Sequence, residues 1–400
     1  MRNVWEFAST QRIVFGPGSI NQLTEIVAEL HAKSVFIITD PGIKKAGILD
    51  KVTAALDGSD LKIEIFADAQ AEPSIEVALG CYEFAKSKLD TDVIIGLGGG
   101  SAIDLAKVTA LLMAHGGNPR DYFGEFKVPG PVAPMIAIPT TAGTGSEVTS
   151  VAVVTDTENQ LKVGISDNYL RPTVALLDPE LTVGLPPYVT ACTGIDALSH
   201  AIEAYTAKPF SSVAATGKIL FQGSQPVSDA LAIQAIELIA ENLVLAVRQG
   251  TNLEARSNML LASMLAGMAF SNAGTALSHA LGYPIGGLVH SPHGEVTGLM
   301  MPYVMDFNAS VVPDKMIKIA QAFGVQTTQM SKHDAAKSAG EAILQLLKDI
   351  GLPTNLNQIG IKEENLDEIG RKTLGIERLV RNNPRVPTEK DLIELVRKAY

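Results

Sequence analysis

The sequence predicts an α/β N-terminal half built on a parallel sheet, followed by an all-α C-terminal half. Three observations carry this. Short apolar runs recur through the first half, each closed by turn residues. Helical patterns lie between them, as strand–helix–strand alternation requires. After Leu185-Pro186-Pro187 the strand-like runs stop and long helical patterns take over. Residues 1–185 and 186–400 are therefore read as two domains, in keeping with about 100–200 residues per domain.

The runs are, in order, Ser34–Asp40, Leu61–Phe66, Asp92–Gly98, Pro134–Pro139 and Val174–Pro179. Helical segments are expected at Ile20–His31, Val52–Leu56 and Ile75–Leu89. In the second half, Ser228–Gln249 reads as one helix closed by Gly250. Leu231, Ala235 and Leu238 share a face that Ile236, Ile239 and Leu243 widen, so deep burial is expected. Glu254–Ala269 and Ala335–Leu347 also look helical.

Composition excludes several classes. The chain carries 32 basic and 43 acidic residues, a net charge of −11, which disfavours a nucleic-acid partner. Two cysteines, Cys81 and Cys192, cannot build a disulfide framework and suit a reducing compartment. The N-terminus has no apolar run behind a basic start, and apolar stretches fall short of the roughly 20 residues that span a bilayer. A cytoplasmic protein without a membrane partner is expected, as a homo-oligomer of two or more chains.

Gly98-Gly99-Gly100-Ser101-Ala102-Ile103-Asp104 follows a predicted strand and opens a predicted helix. Glycines admit a ligand close to the backbone, and a helix N-terminus offers free N–H groups to an anion. This is the recipe for a pyrophosphate site, although the spacing is not GxGxxG. Asp40, at the end of an earlier strand, is of the type that binds a ribose 2′-hydroxyl and repels a 2′-phosphate, favouring NAD. From spacing alone it reads equally as a turn aspartate before Pro41-Gly42, and that plainer reading is favoured. Pro139–Glu147 (PTTAGTGSE) is a second hydroxyl-rich loop after a strand, suited to a phosphate, an amide or a simple cap.

Of seven histidines, His200, His279, His290 and His293 sit among small residues. Asp196 and His200 are four apart on one helical face, so one ion can lie between carboxylate and imidazole. His279 and His293 add imidazoles, and the set suits Fe(II), Zn(II) or a similar first-row ion. Taken singly, each reads first as an ordinary hydrogen-bonded histidine. Glu203 lies about 10 Å along the axis from Asp196 and reads as a surface acid. His31, His115 and His333 look like surface residues, and His290 is ambiguous.

Together these motifs resemble the iron-containing, or group III, alcohol dehydrogenases. The matches are GGGSAIDLAK (98–107), PTTAGTGSEVT (139–149), LDPELTVGLPP (177–187), TGIDALSHAIEAY (193–205), and HALGYPIGG with PHG (279–287, 292–294). GLPTNL (351–356) and NNPRVPT (382–388) extend them into the tail. The resemblance implies an NAD-binding α/β domain followed by an all-helical metal-binding and substrate domain, in a dehydroquinate synthase-like arrangement. It implies metal ligation by Asp196, His200, His279 and His293. It implies cofactor contacts at Asp40, Gly99, Gly100, Ser101, Asp104, Thr140, Thr141, Lys162 and Leu181. The implied activity is hydride transfer between a primary alcohol or hydroxyacid, or the matching aldehyde or oxoacid, and NAD.

Tyr283 stands where many relatives carry histidine, and Glu72 where asparagine is common. The long Pro209–Pro226 connection is similar to the hydroxyacid–oxoacid transhydrogenase branch, which would keep its NAD. A sugar-phosphate cyclase of the dehydroquinate synthase type would want cations near the metal. Segments 193–205 and 276–298 contain no lysine or arginine, which counts against it. A non-catalytic NAD- or metal-binding protein is the remaining rival.

Overall fold

The computed structural model describes residues 2–88, 90–159, 161–214, 217–289 and 291–400. His290, singled out above, lies outside the described residues. Two compact units are present, Ala8–Gly184 and Leu185–Tyr400, the latter joined by the segment through Phe7. That segment was expected with the first half. Its backbone is instead tied to the second unit, with Arg2 N–H donating to Ser211 O and Glu6 N–H donating to Gln222 Oε1.

The first unit holds strands β1 (Arg12–Phe15), β2 (Ser34–Ile38), β3 (Lys62–Phe66), β4 (Val93–Gly98), β5 (Gly124–Glu125), β6 (Met135–Pro139), β7 (Val151–Asp156), β8 (Leu161–Ser166) and β9 (Val174–Leu177). Its helices are α1 (Leu23–Glu29), α2 (Pro41–Lys45), α3 (Ile48–Ala54), α4 (Ile75–Lys88) and α5 (Gly100–His115). Six strands form one parallel sheet in the order β1-β9-β6-β4-β2-β3. The α/β class expected from the sequence holds. β2, β4, β6 and β9 are buried along their whole length, which is why they read as continuous apolar runs.

Four strands were not expected from the sequence. β1 is a short edge strand paired to β9. β7 and β8 form an antiparallel pair, with β5 beside β8. The burial of β7 alternates residue by residue, but Val151-Ala152-Val153-Val154 is a continuous apolar run, so the sequence shows no period-two pattern there.

From β2 the chain crosses to β3 on one side; from β4 it crosses through α5 to β6 on the other. The carboxyl ends of β2 and β4 thus flank a switch point, the place where open α/β sheets receive ligands. Asp40 follows β2, and the triple glycine ends β4.

The second unit is helical: α6 (Pro187–Thr206), α7 (Pro226–Arg248), α8 (Leu253–Ala273), α9 (Leu277–Gly286), α10 (His293–Asn308), α11 (Pro313–Ala322), α12 (Lys332–Asp349), α13 (Leu366–Leu374), α14 (Glu377–Val380) and α15 (Glu389–Lys398). α7 is not deeply buried all round. Ala232, Ala235, Ile236, Ile239, Leu243 and Ala246 form its inner stripe, while Leu245 is 41% exposed. It is long and apolar enough to cross a membrane, yet its inner stripe packs on α6 and α8.

Glycines bring the central helices together. A Cβ at Gly194 would lie 2.2 Å from Leu243 Cδ1. One at Gly294 would lie 2.1 Å from Cys192 O, and one at Gly298 would lie 2.5 Å from Ile195 Cγ1. A side chain at Gly194 would push α7 off α6, and one at Gly294 or Gly298 would push α10 off α6.

Candidate metal centre and cofactor turn

The histidine site is assembled from three helices. Asp196 and His200 lie one turn apart on α6, His279 is on the first turn of α9, and His293 is the first residue of α10. The close α6–α10 approach at Gly294 and Gly298 carries His293 toward Asp196. Donor atoms of Asp196, His279 and His293 lie within 4.8 Å of one another. His200 stands at the edge of this set, with Nδ1 3.8 Å from Asp196 Oδ2. Its ring is stacked between Phe270, at 4.2 Å, and His279, at 4.5 Å.

Two atoms show that the group is incomplete as protein alone. His200 Nδ1 and His279 Nε2 are buried and have no hydrogen-bond partner among the described residues. A buried polar atom without a partner costs about 1–3 kcal/mol, so the arrangement fits a bound cation better than a closed hydrogen-bond network. A carboxylate with three imidazoles is the donor chemistry of a divalent first-row metal.

Charge in the site is arranged to match. Burial opposes the Asp196 carboxylate, but His200, His293, His279 and the Thr297 hydroxyl together hold it below the ordinary range. The Thr297 hydroxyl donates to Asp196 Oδ1 at 3.0 Å. Burial pushes His200 down to about 4, leaving its imidazole neutral. Burial also disfavours a charged His279, but the Glu203 carboxylate outweighs it and holds the ring above its usual value.

Glu203 corrects the sequence reading. It is buried rather than a surface acid, and 2% exposed. Its Oε2 lies 2.6 Å from His279 Nδ1. Its carboxylate also accepts from the N–H groups of Ala276, at 2.7 Å, and Ser278, at 2.5 Å, and so caps the start of α9. With Nδ1 engaged, His279 turns Nε2 toward Asp196, the usual role of an acid behind a ligating histidine. Glu203, Phe270 and Thr297 were all missed from sequence. Only the seven-residue spacing of Glu203 from Asp196 gave a hint.

Tyr283 lies one turn beyond His279 on α9, half-buried against the core of Leu277, Leu281 and Leu379. His31 and His333 are exposed as expected. His115 is half-buried, its Nε2 3.1 Å from both Gly130 O and Pro131 O.

The glycine turn is built differently. Gly98 has φ +144, which a side chain resists, and Gly99 caps α5 in extended conformation. A Cβ at Gly98 would meet Asp40 Oδ2 at 3.2 Å, and one at Gly100 would meet Thr144 Cγ2 at 2.7 Å. The turn thus presents bare backbone at the switch point, the cradle a pyrophosphate needs. Thr39 Oγ1 and Thr140 Oγ1, at the ends of β2 and β6, are buried without partners. Thr141 Oγ1 lies 3.5 Å from a Cβ placed at Gly99.

Other expected contact residues are already engaged within the protein. Asp40 Oδ1 caps α2, accepting from Gly42 and Ile43 N–H at 2.8 and 3.0 Å, which leaves Oδ2 toward Gly98. Both readings of Asp40 therefore survive, one for each oxygen. Asp104 accepts from Ser146 Oγ at 2.5 Å and Val153 N–H at 2.9 Å, and burial raises its carboxyl. Ser101 Oγ accepts from Glu72 N–H at 3.1 Å, and Lys162 pairs with the Glu72 carboxylate. Leu181 is buried in the core beneath β1 and β9.

Lys107, one turn after Asp104, is fully buried. It donates to Ser146 Oγ, Thr149 Oγ1 and the carbonyls of Thr149 and Val151 at 2.7–3.0 Å. Burial lowers it to about 8. Asp104 and Lys107 thus tie the 139–153 loop to α5.

Residues 10–179 match the family described as "Iron-containing alcohol dehydrogenase", and residues 190–400 match "Fe-containing alcohol dehydrogenase family, C-terminal". Long-chain-alcohol dehydrogenase 1 of Geobacillus thermodenitrificans is 38% identical over 98% of this chain and 97% of its own. Sulfoacetaldehyde reductase of Bilophila wadsworthia is 37% identical over 97% of each. NAD-dependent methanol dehydrogenase of Bacillus methanolicus is 36% identical over 96% of this chain and 97% of its own. The crystal structure of a 1,3-propanediol oxidoreductase superposes with a TM-score of 0.93 at 35% identity, covering both chains fully. The structure of sulfoacetaldehyde reductase from Bifidobacterium kashiwanohense with NAD+ gives 0.86 at 30% identity, covering 100% of this chain and 99% of that one. The chain belongs to the iron-containing alcohol dehydrogenase family.

Proposed function

We propose that the protein transfers a hydride between a primary alcohol or hydroxyacid, or the matching aldehyde or oxoacid, and NAD, using one divalent metal. The convergence of Asp196, His279 and His293, with His279 Nε2 unpartnered, carries this reading. In it the α/β unit holds NAD and the helical unit holds metal and substrate.

When bound, the metal supplies Lewis acidity to the alcohol oxygen, and NAD accepts the hydride. Oxidation takes one hydride from the carbinol carbon and releases the hydroxyl proton to solvent. Asp196, His200, His279 and His293 are the proposed ligands. Fe(II) suits the donor set and the family name, and Zn(II) suits the donors equally. Glu203 fixes the His279 ring, and Thr297 fixes the Asp196 carboxylate. The Asp40 carboxylate, with Oδ2 outside the α2 cap, would repel a 2′-phosphate, which favours NAD over NADP. The printed names of the Bacillus methanolicus relative and the Bifidobacterium structure, both tied to NAD, support that choice. Tyr283, half-buried against the helical core, shapes the pocket and offers one hydrogen bond rather than relaying a proton. Tyr283→Phe is then expected to keep kcat within about tenfold. Cys81 and Cys192 are buried and unpaired, which supports a cytoplasmic setting.

The test is a panel of primary alcohols, diols and hydroxyacids with NAD and added Fe(II) or Zn(II), read at the reduced-nicotinamide band. Metal-dependent absorbance gain is expected. No turnover of any alcohol by protein shown to hold both metal and NAD would overturn the reading.

A further inference from the structure

Glu72 stands out in the first unit by its backbone. Its φ is +55, in the left-handed region that side chains other than glycine and asparagine resist. Such strain persists only where the surroundings enforce it, and it gathers at functional sites. Here three contacts enforce it. The Glu72 N–H donates to Ser101 Oγ at 3.1 Å, and Glu72 O accepts from Thr155 Oγ1 at 3.3 Å. The next residue, Pro73, accepts from Thr155 N–H at 2.9 Å. Glu72 is thus clamped between the first turn of α5 and strand β7.

Both ends of the clamp bear on the glycine turn. Ser101 is the second residue of α5, directly after Gly98-Gly99-Gly100. Its oxygen accepts from Glu72, which leaves its hydroxyl proton for an acceptor elsewhere. Lys162 stands opposite Thr155 in the β7–β8 register, and its ammonium pairs with the Glu72 carboxylate. A lysine beside a helix N-terminus is the natural second partner of a pyrophosphate bound there. In this chain a carboxylate already holds that lysine, and it brings negative charge to the end of the helix where negative charge is to be received. The pair is partly exposed, Lys162 at 35% and Glu72 at 53%, so its hold is modest and can be broken.

We propose that Glu72 keeps Lys162 off the cofactor phosphates, so that NAD is held weakly enough to exchange at every turnover. This rests on the NAD-binding reading above and deepens it. A dehydrogenase must release the NADH that carries its hydride away, whereas a transhydrogenase must retain it. Glu72 is a positioning residue in this account: it acts on the cofactor through Lys162 and Ser101.

The experiment uses the full, metal-loaded chain without substrate. NADH affinity is measured by fluorescence titration and its release by stopped-flow displacement with NAD. The proteins are the parent, Glu72→Gln, Glu72→Asn, Lys162→Met and Glu72→Gln/Lys162→Met. The parent is expected to lose NADH on gel filtration. Glu72→Gln should bind NADH about three- to tenfold more tightly, mainly through slower release, as expected for freeing one partly exposed ion pair. Glu72→Asn should gain as much, because asparagine accepts the left-handed backbone and carries no charge; it serves as the second variant if Glu72→Gln folds poorly. The gain should shrink in the Lys162→Met background, since there is then no lysine to free. A parent that keeps a full equivalent of NADH through gel filtration overturns the proposal. So does unchanged or weaker NADH binding in both folded Glu72 variants, or an equal gain with and without Lys162. If no alcohol is turned over, the dehydrogenase reading fails separately, and the NADH titrations still decide Glu72.

Discussion

In the proposed function the glycine turn and the histidine cluster hold charged ligands in opposite ways. At the turn, backbone does the holding, and the nearby acidic and basic side chains are engaged in the protein. Asp104 and Lys107 tie down the 139–153 loop, and Asp40 spends one oxygen on a helix cap. At the metal centre, side chains do the holding, and His200 Nδ1 and His279 Nε2 are left bare in the interior. A backbone site tolerates changes at its polar side chains but not added bulk; a side-chain site has the reverse sensitivity.

The largest effect should come from His279→Ala. It removes a donor from the convergent set, and a loss of about a thousandfold or more in kcat is expected together with loss of metal. Metal analysis after gel filtration checks it; a variant that keeps a full equivalent of metal breaks the side-chain half of the comparison. Glu203→Gln keeps the shape but removes the charge behind His279. Metal affinity should fall about 10- to 100-fold, measured by competition with a chelator, with NAD binding unaltered.

Gly100→Ala tests the backbone half. The new Cβ would meet Thr144 Cγ2 at 2.7 Å, so NAD affinity is expected to drop about tenfold or more while metal content stays the same. Adding Thr144→Ala should restore part of the affinity; no recovery in the double variant would show that the clash is not the cause. Asp40→Asn retains a capping oxygen and removes the charge. The NAD-to-NADP ratio of kcat/KM should narrow by about tenfold, consistent with losing one charged repulsion. An unchanged ratio would leave Asp40 as a cap alone.

The smallest effect is a pH-dependent one. Glu147, in the tied-down loop, is buried with Oε1 unpartnered, and burial pushes its carboxyl from 4.5 up to about 7. The folded state therefore keeps this proton to higher pH than the unfolded chain. Its contribution is most favourable below about pH 4.5 and is lost as pH rises to about 7. Glu147→Gln should leave stability near the parent's at pH 4.5 and exceed it at pH 8, by at most about 3 kcal/mol. Thermal melts at the two pH values read this, and equal differences at both would remove the buried-acid account.

Some of this site was legible in the chain because its cause is local. Gly98–Gly100 declare themselves: only glycine permits φ +144 and so close an approach. Asp196 and His200 share a face by helical period alone. The buried strands β2, β4, β6 and β9 appear as apolar runs because both of their faces are covered. The β7–β8 pair was not legible, because Val151–Asp156 shows no period-two polarity and only the antiparallel pairing with β8 makes its burial alternate.

The sequence by itself determined the α/β-then-α order, the glycine turn and the kinds of donor available. Tertiary structure alone decided which donors meet. His293 reaches Asp196 because Gly294 and Gly298 let α10 lie against α6, a contact between residues about 100 positions apart. Glu203 becomes the partner of His279 only because α9 begins over it, and no spacing along α6 shows that. A side chain's role depends on its neighbours in space, and long-range packing chooses them.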